Sequence, residues 1–588
     1  MASEQQAPGL RKRMAPHAGS ECLFWAAAVL LLFLFLGTAP LTGEEGRWAE
    51  GAREMLVTGD WTCARMNFEN APDIPLLPCW LIAPFIRLFG NSELAVRLPG
   101  ALAALVFLWG VRALGRRLFD PGTALLGCWM TLASCVFLCR SRMAVPDMPA
   151  AAASILSAVW FLKCEKEGGF ARALLFFLLC SAGFLLDGPT ALLLPAAVVL
   201  PRLFSDERCR ALLTWRTVAA LAVALLVSTL LLSLPELLKY LSGRTPFQEF
   251  TLAFLQPLGY DNVIRPCLLP GGKIFWREWA SALFPALMPW TPFLIAGWIS
   301  LLKKRKALSP ELGLTGIGMV VVPAVFGPFV FRGWDAALPL APLFLLFGAA
   351  GLNGHGDPVW ERWTCKILYY TAAALSSLFI GSLLAAPLWE KMGGAFPGPV
   401  PAFFPAAAGV LAWYGLFMDH REGSSWSLLF RLPHRLGAAV FAVTLLTGAV
   451  LSAAYPALEE LREEKTFFRS AAAEAGKNEL RPEQLRVYAG TPPAGYLFYN
   501  DLPSKLTSIS SLREASDAWP GKAVVLFGNR EKVQNGFNRE IKALGITRSR
   551  RMALKSAARR KFQGAGNENY VVYTIEFPKK STLKGAVQ

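Results

Sequence analysis

Again and again along this chain a run of Leu, Ala, Phe and Val reaches the roughly 18–20 residues a helix needs to cross a bilayer core. Each run then breaks at a short polar or basic turn. No other feature constrains the fold as strongly. In lipid every backbone N–H and C=O must be satisfied within the protein, so such runs form helices. The chain therefore reads as a polytopic α-helical membrane protein with about thirteen transmembrane helices. They are placed at 22–40, 94–114, 121–138, 147–163, 172–186, 189–204, 215–234, 281–302, 311–331, 336–352, 366–387, 402–418 and 436–455. Of the 588 residues, 54% are hydrophobic and only 17% charged, which sets the chain apart from soluble proteins of this length.

The formal net charge is +17. In a soluble chain that excess would suggest nucleic acid. Here much of it sits in short loops such as "GRRLF" and "KKRK", where it marks the cytoplasmic side, so no nucleic-acid partner is expected and the surrounding partner is membrane lipid. Arg11, Lys12 and Arg13 precede the first apolar run. That run is too long for a cleaved signal peptide and reads as a retained anchor. Residues 1–21 form a cytoplasmic tail, and 22–456 form the membrane domain with large outer loops at 41–93 and 235–280. An odd number of crossings places 457–588 outside. The eleven cysteines show no metal-ligand spacing. Cys63 and Cys79 share the first outer loop.

Residues 457–588 differ in kind. "RVYAG", "GYLFYN", "AVVLFG" and "NYVVYTIEF" read as short buried strands, and "SLREASDAW" and "REKVQNGFNREIKAL" as helices. This predicts a C-terminal extracytoplasmic α/β domain. "AGTPPAG" is not a phosphate loop.

Charge in the outer loops is where chemistry at a membrane surface would have to come from. In "TGEEGRWAEGAREML" (42–56), Thr42 and Glu45 have the spacing of a capping box. Glu44 then sits favourably near the positive end of the helix dipole. Trp48, Ala52, Met55 and Leu56 share one face, as in a helix lying in the membrane interface. Arg47, three residues after Glu44, is not explained by capping. In "CRSRMAVPDMP", Asp147 and Pro149 suit a helix start, with Arg140 and Arg142 just before it.

The stretches "EEGRWAEGAREMLVTGDW", "LFGNSELAVRLPGALAALVFLWGVRALGRRLF" and "RMAVPDMP" together resemble the polyprenyl-phosphate-sugar glycosyltransferases of the C-type superfamily, in the branch of the aminoarabinose lipid A transferase and the protein O-mannosyltransferases. The resemblance runs over roughly the first 200 residues. It implies an enzyme of the bacterial inner membrane that moves a sugar, with inversion, from a polyprenyl-phosphate-linked donor to a lipid, glycan or protein acceptor at the outer leaflet. It assigns catalytic roles to Glu44, where relatives carry Asp, and to Asp147. It assigns substrate binding to Glu45, Arg47, Trp48 (Tyr in relatives), Glu69, Arg142 and Arg332. A divalent metal ion, if used, would fall to Glu69 and Asp147, because all four histidines lie on the cytoplasmic side. Three positions depart from the pattern: Asn70 and Asp187 stand where relatives have Lys, and Ala336 or Ala337 where they have Tyr. Two other classes stay open at this point, a catalytically inactive lipid-binding relative and a lipid or glycan transporter.

Overall fold

The structure is a computed structural model. It describes residues 18–241 apart from 72–73, 165–168 and 206–213; residues 283–353 apart from 304–309 and 331–336; isolated positions between 354 and 463; and residues 464–576 apart from 478–479, 515–521, 529–530, 545–546 and 554–569. The chain divides into two compact units. One comprises Met1–Leu34 and Gly100–Ala453, the other Phe35–Pro99 and Ala454–Gln588.

The first unit is helical. Its described helices are α1 (Ala18–Phe33), most of α4 (Glu93–Leu118), α5 (Pro121–Leu132), α6 (Cys135–Ser141), α7 (Asp147–Cys164), α8 (Phe170–Asp187), α9 (Leu193–Ser205), α10 (Trp215–Leu241), α11 (Thr291–Lys303), α12 (Pro310–Val330) and α13 (Ala341–Leu352). Phe24, Phe107, Trp129, Phe137, Trp290 and Leu346 belong to one continuous buried core. Among the described residues, the helical stretches Glu93–Leu118 and Phe170–Ser205 are long and apolar enough to cross a membrane. The second contains the expected fifth and sixth segments, and the chain turns between them at Gly188, whose φ of 74° suits a residue without Cβ. The expected third helix, 121–138, is instead two helices bent by 64°. The break falls at Ala133 and Ser134, and the Ser134 hydroxyl is satisfied by the Thr131 carbonyl at 2.8 Å. The expected helices at 366–387, 402–418 and 436–455 and most of the 235–280 loop lie outside the described residues.

The second unit joins the loop that follows α1 to the C-terminal region. The loop supplies α2 (Gly43–Thr58), a hairpin of β1 (Arg65–Met66) and β2 (Glu69–Asn70), and α3 (Leu76–Phe89). Asn67 and Phe68, both at positive φ, make the hairpin turn. The C-terminal region folds as an α/β sheet in strand order β4-β3-β5-β7-β6, with β3 at Arg486–Tyr488, β4 at Thr507–Ile509, β5 at Lys522–Gly528, β6 at Thr547–Ala553 and β7 at Tyr570–Glu576. β3 pairs in parallel with β4 and β5, whereas β7 runs antiparallel to β5 and β6. Alternation puts Val524, Leu526 and Val572 on one face with α14 (Glu464–Lys477) and α15 (Ala494–Tyr499). It puts Val525, Tyr573 and Ile575 on the other with α16 (Glu531–Ala543). Both faces are thus covered, as the near-continuous apolar strands require. "GYLFYN", read as a strand, is the helix α15. Six residues are too few for periodicity to separate the two, and Pro493 at its N-cap favours the helix. Only Leu512–Glu514 of the "SLREASDAW" segment are described as helical.

Candidate functional site

The site is built on the first two turns of α2. Thr42 is the N-cap and the capping box is complete: the Thr42 hydroxyl accepts from the Glu45 N–H at 3.3 Å and the Thr42 N–H donates to Glu45 Oε2 at 2.8 Å. Glu45 is fully buried and does a second job. Arg97 donates to it from Nε at 2.7 Å and from Nη2 at 3.0 Å. The same guanidinium donates to the carbonyls of Leu36, Ala39 and Pro40. All five of its donors are engaged, and Arg97 is 2% exposed. One arginine therefore ties the segment entering α2 to the second acid of the helix.

That arrangement separates two adjacent carboxylates. Glu45 is turned inward and held; Glu44 is exposed, with Arg47 and Trp48 half-buried one turn on. Gly46 allows the helix to come close to its neighbour: a Cβ there would lie 3.3 Å from the Gly495 backbone nitrogen at the start of α15. Further contacts fix this part of the unit. Tyr499 Oη accepts from the Leu41 N–H at 2.6 Å. Asn91 donates to the Phe498 carbonyl at 2.9 Å. Asn67 clamps Leu506 in both directions, at 2.7 and 2.8 Å.

Two turns deeper on α2 lies a charged cluster that sequence reasoning did not single out. Arg53, buried, donates to both oxygens of Glu50 at 2.7 and 2.8 Å and to Asp501 at 3.1 Å. Glu54 accepts from the Phe68 N–H at 2.8 Å, while its other oxygen is buried without a hydrogen-bond partner. Burial first, and the Glu50 carboxylate second, push Glu54 up to about 8, so it carries a proton at neutral pH. Burial works against the charge on Arg53, but Glu50 and then Asp501 hold its pKa above the ordinary value. The i, i+3, i+4 spacing of Glu50, Arg53 and Glu54 on a helix was the available signal, since it puts all three on one side.

Glu69 lies exposed on β2 and forms an ion pair with Lys505. Asn70 accepts from the Cys63 thiol at 3.4 Å. Cys63 and Cys79 are separate buried thiols, and burial pushes Cys79 up to about 12. The remaining expected residues belong to the helical unit. Asp147 lies buried in the first turn of α7, 3.1 Å from Arg140 Nε. Arg142 is 1% exposed and donates to the carbonyls of Leu31, Leu32 and Leu34, closing the C-terminal end of α1. Arg332 lies outside the described residues. Among the described residues no group of three or more His, Cys, Asp or Glu is placed to hold a metal ion. Of the two carboxylates considered for one, Glu69 pairs with Lys505 and Asp147 lies beside Arg140.

Comparison with known proteins gives a consistent picture. Residues 73–232 match the family described as dolichyl-phosphate-mannose-protein mannosyltransferase. The chain is 27% identical over 355 residues to an undecaprenyl phosphate-alpha-4-amino-4-deoxy-L-arabinose arabinosyl transferase of Aeromonas salmonicida, a match spanning 56% of this chain and 60% of the relative. A protein of the same description from Pectobacterium carotovorum is 25% identical over 465 residues, or 76% and 78% of the two chains. The matches to the Aeromonas and Serratia relatives cover 54–60% of the length of those proteins. Among solved structures, ArnT from Cupriavidus metallidurans in the apo state superposes with a TM-score of 0.63 at 18% identity, covering 94% of this chain and 97% of that one. The same protein bound to undecaprenyl phosphate superposes equally well. The fold is shared.

Proposed function

We propose that this chain, a relative of the C-type polyprenyl-phosphate-sugar glycosyltransferases of the aminoarabinose-transferase and O-mannosyltransferase branch, transfers a sugar from a polyprenyl-phosphate-linked donor to a lipid, glycan or protein acceptor. The multi-pass chain would do so at the outer leaflet of a bacterial inner membrane. Its N-terminus would then be cytoplasmic, its crossings about thirteen, and residues 457–588 extracytoplasmic. The observation that supports this most is the division of labour at the head of α2. Glu45 and Arg97 hold the helix, which leaves Glu44 exposed beside Arg47.

In this mechanism the acceptor hydroxyl gives its proton to Glu44 as its oxygen attacks the anomeric carbon. The bond from that carbon to the phosphate oxygen breaks, and the polyprenyl phosphate leaves with the electron pair. Attack opposite the leaving group inverts the anomeric centre. Arg47 balances the charge growing on the phosphate, with Trp48 beside it. Lys505, paired to Glu69, brings a cation next to Asn70, the position where relatives have lysine. Arg332 is assigned to the phosphate as well. Asp147 is kept as the second acid, oriented by Arg140. Arg142 acts by holding the end of α1.

Glu44→Gln is expected to lower transfer from a polyprenyl-phosphate sugar by roughly 10²–10⁴-fold, and Arg47→Ala to lower it comparably, with both variants inserting and unfolding like the parent. Normal turnover in both would remove the site from α2.

A further inference from the structure

A second feature lies in the helical unit and plays no part in the transfer reaction. α8 presents one straight stripe, Arg172, Phe176, Cys180 and Phe184, with Ala173, Phe177 and Ser181 beside it. Leu192 and α9 as far as Leu203, and α10 from Thr217 to Thr229, line the same cavity, and Trp160, Phe161 and Cys164 at the end of α7 line one end. The cavity holds about 670 Å³, within the range of ligand sites. Along α8 it runs from Gly169 to Phe184, roughly 22 Å at 1.5 Å per residue. Its walls are almost wholly carbon. The Ser228 hydroxyl, which could have made them polar, is turned back onto the Ala224 carbonyl at 2.8 Å.

The two ends differ. At the far end, near Phe184 and Leu192, the named lining side chains bring no charge. At the near end α7 stops and α8 and α10 begin. There Arg172 lines the cavity, the Lys163 ammonium lies 5.4 Å from the Trp160 ring, and Arg216 flanks Thr217. The Trp160 indole N–H is tied to the Arg172 carbonyl at 3.0 Å, fixing the rim. A carbon-walled channel about 22 Å long, open at a mouth bearing Lys163, Arg172, Arg216 and an indole, matches a molecule with one long acyl chain and an anionic head.

We propose that this groove binds an anionic glycerophospholipid of the leaflet at which α7 ends. One acyl chain lies along α8 and the phosphate sits between Arg172 and Lys163. Basic pockets between membrane helices bind such headgroups, and the length of the groove selects a single fatty acyl chain over a much longer polyprenyl tail. The site belongs to four neighbouring helices and uses none of the residues assigned to transfer, so it stands whether or not the transfer reaction does.

The test is native mass spectrometry of the full chain, purified in mild detergent from membranes of known lipid composition and titrated with phosphatidylglycerol and phosphatidylethanolamine. Wild type should retain one anionic phospholipid, with at least tenfold preference for phosphatidylglycerol. Arg172→Ala should lose about tenfold of that retention, and Arg172→Lys should keep most of it. Ala196→Trp, which fills the groove without touching its charges, should abolish retention while the thermal unfolding midpoint stays close to that of the parent. Retained lipid that mirrors the bulk membrane would overturn the proposal. So would unchanged binding in a folded Ala196→Trp chain, or a polyprenyl phosphate as the retained species. If Ala196→Trp does not fold, the Arg172→Ala and Arg172→Lys pair decides: equal retention in both rejects the site.

Discussion

Two helix starts in this molecule carry nearly the same residues and use them differently. α2 opens with Glu44, Glu45 and Arg47; α7 opens just after Arg140 and Arg142 with Asp147. At α7 all three charges are buried among groups of the protein itself: Asp147 beside Arg140, and Arg142 on the carbonyls that end α1. At α2 the two acids differ in burial. Arg97, reaching from more than fifty residues downstream, takes up Glu45 and leaves Glu44 outside. A charge at a helix start in an apolar chain is thus structural by default.

The comparison breaks first at Arg97. Arg97→Ala leaves Glu45 buried and uncompensated and strips hydrogen bonds from three carbonyls, so it should cost about 3–5 kcal/mol. Activity should fall with it although Arg97 meets no substrate. Arg97→Lys should recover little, because an ammonium cannot reproduce a five-donor fork. Chemical unfolding in detergent, with transfer measured on the same samples, checks both. An Arg97→Ala chain of normal stability would mean that Glu45 is not held this way.

Arg142→Ala is the counterpart at α7. It removes the donor from helix-end carbonyls, each costing about 1–3 kcal/mol if left buried without a donor. The expected loss is on the order of 2–3 kcal/mol. Donor affinity among the molecules that remain folded should stay within about threefold of the parent, equivalent to less than 1 kcal/mol. A drop in donor affinity at unchanged stability would instead put Arg142 on the substrate.

Glu54 sharpens the comparison within α2 itself. Its pKa of about 8 in the fold lies above its ordinary 4.5. Between those values the folded state holds a proton that the unfolded state has lost, so stability falls as pH rises through that window and levels off above about 8. Glu54→Gln removes the titration. The variant should show a flatter stability profile from about pH 5 to 8 and should exceed the parent at pH 9 by on the order of 2 kcal/mol. Parallel profiles for the two chains would show that Glu54 is ionised in the fold.

How much of this could be read from the residues depended on range. The Thr42–Glu45 capping box spans four positions and was legible in full, as were the helices at 147–164 and 170–187 and the strands at 486–488, 522–528 and 570–576. All rest on local periodicity or local hydrogen bonds. The Arg97–Glu45 pair was not legible, because nothing local tells a buried arginine fork from one more basic residue at the start of an apolar helix. The bend at Ala133 was hidden for the opposite reason: the apolar run continues through it, and hydropathy does not register a change of direction. The exposure of Glu44 follows from the Arg97 contact, so it too needed the fold.

The smallest effect tests how far the surface matters. Arg53 meets Glu50 in full burial but Asp501 at a side chain that is 71% exposed. Water screens that second contact, and exposed pairs contribute only about 0–1 kcal/mol. Asp501→Ala should therefore cost less than about 1 kcal/mol, and less still at high salt. Arg53→Ala, which strands the buried Glu50, should cost several times as much. The ratio is the informative quantity. If Asp501→Ala were as damaging as Arg53→Ala, the segment after α15 would be holding α2 through this ion pair, and the internal Glu50–Arg53–Glu54 cluster would have to be demoted accordingly.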